Sequence, residues 1–313
     1  MIIRPVDTSI LPSVQDGVSL FASREWAALY PYHIQAYVLQ GKNEQVSGTF
    51  LLFHKAKFAA KYTITPPLAP HIGLHVNFQA EKTESIQTFK KNVHKAIAKY
   101  LHSRNDALLQ ISLSTEDVDS QPYTWQDLSV RPRHTYLLDL GASEESLLDG
   151  MSSERRKNIR KAMDDGLSSQ RTSNIDSVRE LLWKTIERQK VAIDKTILES
   201  LLTSQAIKEN RAFYLCSLDG EPLAASLVVW DKDRMYYLIG GYDPENAHQG
   251  AGTLNLWQAM LDAKLQGHRI FDFEGSMIPE VERYFRGFGG ELKTFFSVEH
   301  KNWLGEIATR VKK

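Results

Sequence analysis

Two acids and one arginine near the C-terminal end of the sequence have the types and spacing of reactive groups. Phe271-Asp-Phe-Glu-Gly275 reads as the end of a strand, and Tyr284-Phe-Arg-Gly-Phe-Gly-Gly290 as a glycine-rich turn into another strand. Because alternate side chains of a strand share a face, Asp272 and Glu274 are expected together, opposite their phenylalanine neighbours. Such acids can position an amine or take its proton, and Arg286 can offset negative charge. The pattern predicts the edge of an active site. The alternative is a crossover with helix-capping acids and a simple turn.

A second candidate site is the loop that leads into a predicted helix at Thr253. His248, Gly250 and Gly252 precede or open this helix. Their backbone amides would point out of a helix N-terminus, an arrangement that binds phosphate groups. The alternative is that both glycines only turn the chain from a strand into the helix.

A third candidate is a short predicted helix that has five basic residues within seven positions. Repulsion among so many like charges favours an anionic ligand, such as a nucleotide phosphate, an RNA backbone or a diphosphate-linked precursor. Arg155, Arg156 and Arg160 are therefore candidate substrate-binding residues. The alternative is a solvated helix whose charge is partly balanced by the neighbouring Asp164 and Asp165. The basic residues are Arg155, Arg156, Lys157, Arg160 and Lys161.

The elements that must position these residues form two mixed α/β halves. A chain of 313 residues exceeds the size at which one core usually stops growing. We expect an N-terminal domain over residues 1–134 and a C-terminal domain over residues 135–313. In the second half, the periodicity of apolar residues and the turn residues predict a strand and several helices. They then predict a three-stranded meander over 212–241, a helix over 252–266 and a strand over 269–273. No heptad repeat is present, so a coiled-coil arm is not expected.

The composition of the sequence and the motifs it lacks argue against several classes of protein function. Thirty-eight basic and thirty-eight acidic residues balance, so any polyanion must be met by a local patch. The single cysteine, Cys216, cannot form an internal disulfide, which favours a reducing, cytoplasmic setting. The sequence shows neither a signal peptide nor a bilayer-spanning run. No histidine pair has the spacing of a zinc motif, and no Gly-x-Ser-x-Gly elbow is present, so metal-dependent and serine-nucleophile chemistry are disfavoured.

Two of these segments resemble a known group. The 272–275 and 284–291 motifs, with Ser-Ser-Glu-Arg-Arg-Lys-Asn-Ile-Arg-Lys-Ala at 152–162, are similar to signatures of the Fem-type aminoacyltransferases, relatives of the GNAT acyltransferases. The resemblance extends over about residues 137–298. It implies an α/β fold of two tandem GNAT-like domains, with Asp272, Glu274 and Arg286 in one cleft between them. Arg286 stands where the family usually has lysine.

The resemblance also implies a reaction. An aminoacyl group would pass from aminoacyl-tRNA to an amine of a peptidoglycan-precursor peptide, without a tightly bound cofactor. Tyr237 and Tyr242 would pack against that acceptor, unless they are ordinary strand tyrosines. Ala247 occupies a position that acyl-coenzyme A enzymes usually fill with arginine or glutamine, which argues against that donor. The alternatives are an acyl-coenzyme A or acyl-carrier N-acyltransferase acting on a small amine, and a catalytically silent module that binds RNA or protein.

Overall fold

The computed structural model describes residues 1–41, 44–58, 60–78, 80–190, 193–303 and 305. The chain divides into unit 1, Met1–Arg133 with Thr294–Lys313, and unit 2, His134–Lys293. The boundary between Arg133 and His134 lies one residue before the boundary between 134 and 135 that was expected from the sequence. The last strand departs from that expectation: its residues from Thr294 on fold with unit 1, because they pair with the strand Leu108–Ser112.

Thirteen strands and nine α-helices are formed by the described residues. The strands are β1 Ile2–Val6, β2 Ile34–Gln40, β3 Val46–Lys57, β4 Ala60–Ile64, β5 His75–Val76, β6 Leu108–Ser112, β7 Ser129–Asp139, β8 Ser168–Thr172, β9 Arg211–Leu218, β10 Glu221–Trp230, β11 Arg234–Tyr242, β12 Ile270–Asp272 and β13 Glu291–His300. The helices are α1 Arg24–Ala27, α2 Thr83–Ser103, α3 Gln121–Thr124, α4 Glu144–Gly150, α5 Ser153–Asp164, α6 Ile175–Arg188, α7 Lys195–Thr203, α8 Ala251–Leu265 and α9 Pro279–Arg286.

Unit 1 is built on a sheet in the order β1-β2-β3-β4-β6-β13, with β5 paired to β3. Its neighbours are antiparallel except β4 and β6. Helix α2 buries Val93, Ile97 and Leu101, which recur every four residues, in a core with Phe50 and Leu109. Among the described helices of the chain, none combines the length and apolarity that crossing a bilayer requires.

Unit 2 is built on a sheet in the order β7-β12-β11-β10-β9-β8. Only β11 and β12 pair in parallel. Helix α8 contacts β8, β9 and β10 as well as α5, which explains why it is apolar around most of its circumference. Helix α6 contacts β10 and β11. The mixed α/β architecture expected from the sequence is confirmed.

The strands β11 and β12 part at the place where the sequence motifs begin. Residues Arg234–Tyr236 of β11 pair with Ile270–Asp272 of β12, and β11 then continues without this partner to Tyr242. On its other edge β11 pairs with β10 to the end, with a bulge at Leu238. Beyond Tyr236, that free edge of β11 has no described strand beside it. The Tyr242 N–H donates to the Thr185 hydroxyl at 3.2 Å, so the backbone groups that can meet a ligand lie before Tyr242.

Candidate active site

Asp272 ends β12 and is almost completely buried, with 3% of its surface exposed. Its Oδ1 accepts hydrogen bonds from the Thr135 hydroxyl at 2.8 Å and from the backbone N–H of Glu274 at 2.9 Å. The guanidinium of Arg234 lies 3.4 Å from Oδ2. Burial raises the pKa of Asp272, while Arg234 and Thr135 act to lower it. Asp272 is thus a fixed acceptor held from three sides.

Glu274 adopts a backbone conformation that a side chain seldom takes. Its φ is 59°, and Gly275 follows with φ 66°. A Cβ on Gly275 would lie 2.0 Å from the carbonyl oxygen of His134, so only glycine fits there. A left-handed non-glycine residue costs on the order of 1–3 kcal/mol, and such strain concentrates at functional sites. The observed strain identifies Glu274 as a candidate functional residue.

The carboxyl group of Glu274 is also electrostatically perturbed. Its Oε1 is buried and has no hydrogen-bond partner among the described residues. Burial raises the pKa of Glu274 well above its usual value, the neighbouring Asp272 raises it further, and Arg234 opposes both. A carboxyl group with a raised pKa suits general acid–base chemistry near neutral pH. The strand itself ends at Asp272, so a turn brings the two acids together rather than an extended run.

Arg286 lies apart from this pair of acids. It ends α9, its side chain is 61% exposed, and its Nε donates to Glu282 at 2.9 Å. Glu282 also accepts a hydrogen bond from the Tyr136 hydroxyl at 2.5 Å. Within the described chain, Arg286 makes no hydrogen bond or ion pair with Asp272 or Glu274. The structure therefore groups the two predicted acids and gives Arg286 a separate contact.

Arg155 lies buried beside the first turn of α8, with 7% of its surface exposed. Its guanidinium carbon lies 4.7 Å from the ring centroid of Tyr284, and its Nη1 donates to the Thr253 hydroxyl at 3.3 Å. Its Nη2 pairs with Glu154 at 2.8 Å, whereas the buried Nε has no described partner. Arg155 thus belongs to an interior cluster, because α5 turns it toward α8 and α9, and its contact with substrate stays a prediction.

The loop before α8 is held by His248. The Nδ1 atom of His248 accepts from the Gly250 N–H at 3.1 Å, so Nε2 carries the proton that faces Asp165 at 2.9 Å. A Cβ on Gly250 would lie 2.3 Å from the carbonyl oxygen of Asn158 in α5. Glycine at 250 therefore permits close packing of α5, and its amide already has an acceptor.

Two amides of the first turn of α8 remain available. The N–H groups of Gly252 and Thr253 donate to no described acceptor. A Cβ on Gly252 would lie 3.6 Å from the Tyr284 hydroxyl, so this residue faces the Arg155 cluster. Helix N-terminal amides next to a buried guanidinium can bind an anion. The donors at this position are thus Gly252, Thr253 and Arg155.

The remaining charges of the basic helix divide into two groups. Arg156 donates to the carbonyl oxygens of Asp149 at 2.9 Å and Met151 at 2.5 Å, so it satisfies backbone acceptors at the end of α4. Lys161 pairs with Asp165 at 2.7 Å. Lys157 and Arg160 are exposed and make no ion pair or hydrogen bond within the described chain. Arg156 therefore makes a capping contact, and the substrate contacts expected of Arg156 and Arg160 stay predictions.

The two candidate tyrosines of β11 differ in environment. The ring of Tyr237 meets Phe285 edge-on at 5.8 Å, and its hydroxyl fills the space that a side chain at Gly240 would occupy. Tyr242 is 43% exposed, and the Arg188 guanidinium lies 4.1 Å from its ring centroid. Tyr237 lies on the stretch of β11 beyond its pairing with β12, where an acceptor could contact it.

Helix α9 connects the acidic strand end to the α8 cluster. Phe285 packs against Phe273 at 5.7 Å, and the adjacent Tyr284 carries the Arg155 contact. The two phenylalanines beside Asp272, Phe271 and Phe273, are both fully buried, as their place on the opposite face of the strand predicts. One short helix thus touches both halves of the candidate site.

Several residues of the site were not singled out by sequence patterns. Tyr284 lies inside the glycine-rich motif, and Thr253 lies at the start of the predicted helix. The sequence therefore marked both positions but gave no sign of their contacts with Arg155. Arg234 and Thr135 lie in strands, and only the pairing of β7 and β11 with β12 brings them to Asp272. Cys216 is buried, and burial raises its thiol pKa to about 12, as expected of an inert thiol.

Comparison with known proteins supports this reading of the fold. Residues 153–286 match the family model of an acetyltransferase (GNAT) domain. The FemX crystal structure aligns over 100% of both chains with a TM-score of 0.65 at 13% identity. A tandem GNAT protein from the clavulanic acid biosynthesis pathway aligns over 96% of this chain and 98% of its own, with a TM-score of 0.55 at 12% identity.

A third similar structure is the C-terminal domain of a putative lysylphosphatidylglycerol synthetase from Agrobacterium fabrum. It aligns over 88% of this chain and 87% of its own, with a TM-score of 0.53 at 9% identity. A search of curated proteins gave no match. The resemblance to the Fem-type and GNAT superfamily is confirmed at the level of the fold, and residues 153–286 match the model of a GNAT acetyltransferase domain.

Proposed function

We propose that the protein is an N-acyltransferase that moves an aminoacyl group from aminoacyl-tRNA to an amine of a peptidoglycan-precursor peptide. The observation that carries the proposal is Glu274, a buried carboxyl group held in a strained turn at the end of β12. Its raised pKa suits it to accept a proton from an attacking amine. The GNAT-type fold supports transfer of an acyl group.

The reaction would begin when the acceptor amine attacks the ester carbonyl of the donor. A C–N bond forms, the ester C–O bond breaks, and the amine proton passes through Glu274 to the departing ribose oxygen. Asp272 positions this carboxyl group, since it accepts the Glu274 backbone N–H at 2.9 Å. The acceptor peptide would lie along the free edge of β11, where backbone groups can pair with an extended chain.

The contacts of the loop before α8 favour the tRNA donor over acyl-coenzyme A. The Gly250 amide already donates to His248, and α5 closes over Gly250 itself. Ala247 removes a further donor for a diphosphate. A phosphate of the donor would instead meet Gly252, Thr253 and Arg155, while Lys157 and Arg160 would contact the RNA backbone.

An acyl-coenzyme A donor is the second candidate, because the amides of Gly252 and Thr253 are available and the family model is that of an acetyltransferase. A donor screen separates the two. The protein is incubated with charged tRNA or with acyl-coenzyme A and an amine acceptor, and the amide product is detected by mass spectrometry. Product from charged tRNA alone supports the proposal. Product from acyl-coenzyme A alone, or a micromolar affinity for it by calorimetry, contradicts the tRNA donor.

A further inference from the structure

One end of the unit 1 sheet carries the three most exposed aromatic side chains of the described residues. They are Tyr32, Phe58 and Trp303, with 91%, 97% and 67% of their surfaces exposed. A single exposed ring is common on protein surfaces, whereas apolar rings grouped at one end of a sheet indicate an interaction surface. We call this group the aromatic end.

Strand pairing brings the first two of these residues together. Tyr32 precedes β2, whose Ile34 pairs with Phe53 near the end of β3. Phe58 directly follows β3. Because β2 and β3 are antiparallel, the start of β2 and the end of β3 lie at the same end of the sheet.

Trp303 reaches the same end from β13. The neighbouring Asn302 donates to the carbonyl oxygen of Asn105 at 2.9 Å, and Asn105 leads into β6. Strand β6 runs parallel to β4, and the Ala107 N–H donates to the carbonyl oxygen of Lys61 at 2.8 Å. The end of β13, the start of β6 and the start of β4 therefore adjoin the turn that carries Phe58.

The tight turn between Lys57 and Ala60 places Phe58 at its tip. The φ of Phe58 is 54°, a left-handed value that is unusual for a bulky side chain. The ring makes no aromatic or cation contact within the described chain. The fold thus holds an apolar ring at the tip of a turn at a local conformational cost, with no internal packing to offset it.

The charge around the aromatic end is positive. Residues 53–65 include Lys55, Lys57 and Lys61 and no acidic residue, and Lys301 precedes Trp303. The nearby Asp106 is buried and accepts hydrogen bonds from Arg104 at 2.7 Å and from Thr63, so its charge is compensated inside the unit.

We propose that the aromatic end docks on an anionic lipid bilayer. Phe58 would enter the acyl boundary, Tyr32 and Trp303 would lie at the headgroup level, and the lysines would meet lipid phosphates. An RNA-binding surface usually sets its aromatic rings along a basic groove. Here the rings stand at the outer ends of strands, which favours insertion. The proposal does not depend on the chemistry of unit 2.

The test is flotation of the full chain with vesicles of phosphatidylcholine alone or mixed with phosphatidylglycerol. The wild type is expected to float with the mixed vesicles, and less so as salt rises. Phe58→Ser is expected to lower partitioning about three- to ten-fold, and the triple variant with Tyr32→Ser and Trp303→Ser should not float. Replacing the lysines at 55, 57 and 61 with glutamine should flatten the salt dependence.

Trp125 supplies the matched control. It is 53% exposed in the same unit, with Lys91 and Lys95 over its ring, but it lies outside the aromatic end. Trp125→Ser should float as the wild type does. The proposal is overturned if the wild type does not float, if the triple variant floats equally well, or if Trp125→Ser loses the same affinity. Single-stranded RNA binding that depends on Phe58, without flotation, would identify an RNA surface instead.

Discussion

The guanidinium of Arg155 stacks on the ring of Tyr284, with 4.7 Å between its carbon and the ring centroid. The same arginine donates to Thr253 at the start of α8. This single buried side chain therefore joins three helices, α5, α8 and α9. It places a positive charge beside the two α8 amides that remain available. These buried contacts explain why residue 155 is an arginine, whereas a role in a solvated basic helix face does not.

The first prediction concerns this cluster. Arg155→Lys should lower kcat/KM about ten- to a hundred-fold, because an ammonium cannot both stack on Tyr284 and reach Thr253. Tyr284→Phe keeps the ring and should stay within about three-fold of the wild type. Urea unfolding of both variants separates lost folding from lost donor binding. Wild-type kinetics in a folded Arg155→Lys protein would remove Arg155 from the site.

The second prediction concerns the exposed cations of α5. Replacing Lys157 and Arg160 with glutamine should make the slope of log affinity against log salt for the anionic donor shallower by about 1–2. The reason is that fewer counterions are released on binding when fewer phosphates are contacted. Arg156→Gln is the matched control. It should weaken the end of α4 and leave the slope unchanged, since Arg156 donates to backbone carbonyl groups. Equal slopes in the wild type and the double variant would mean a solvated helix face.

The third prediction concerns the glycine beneath α5. Gly250→Ala should destabilise the fold by about 1–3 kcal/mol, because the new methyl group would overlap the Asn158 carbonyl oxygen. Gly150→Ala is the control, since a Cβ there meets nothing within 4 Å. Chemical denaturation of both proteins measures the difference. A Gly250→Ala protein as stable as the control would mean that close packing does not explain this glycine.

The fourth prediction concerns Arg286. If its charge contacts the donor or the developing oxyanion, Arg286→Ala should lower turnover about a hundred-fold, near 3 kcal/mol. Arg286→Lys restores the residue usual in the family that the motif resembles and should keep most activity. Glu282→Gln removes the negative charge that pairs with Arg286 and with the Tyr136 hydroxyl, and leaves Arg286 itself in place. Similar small losses in all three variants would mean that Arg286 only steadies α9.

Sequence patterns predicted the strands and helices of unit 2 well, because long periodic runs and turn residues act locally. The meander β9–β11 and the helix α8 are examples. The short β8 and the helical part of the glycine-rich motif in α9 were missed. Their formation depends on packing against β9 and on the phenylalanines of β12, which one sequence window does not contain.

Predictions for the site were limited for a similar reason. A cluster of charges in sequence does not specify which side chain turns inward, so Arg155, Arg156 and Arg160 were all given the same predicted role of binding an anionic substrate. Their partners, Tyr284 and the carbonyl groups that close α4, are set by tertiary contacts. The two acids at the end of β12 were identified correctly as neighbours. The left-handed turn at Glu274 was not visible in the sequence.

The fifth prediction tests the central claim that Glu274 is the proton acceptor. Its pKa is raised in the folded protein, so the carboxylate forms only as pH rises through that value. The acid form stabilises the fold, and this contribution is present below the ordinary pKa and lost as pH rises through the folded one. Glu274→Gln should therefore equal or exceed the wild type in stability at alkaline pH.

The most direct measurement is the pH dependence of kcat/KM for the wild type and Glu274→Gln with the productive donor. The account predicts that wild-type kcat/KM rises with pH along an acidic limb set by Glu274. The Gln variant should be folded, about a hundred-fold slower or more, and without that limb. A folded Glu274→Gln enzyme that keeps both the wild-type rate and the same acidic limb would contradict the account.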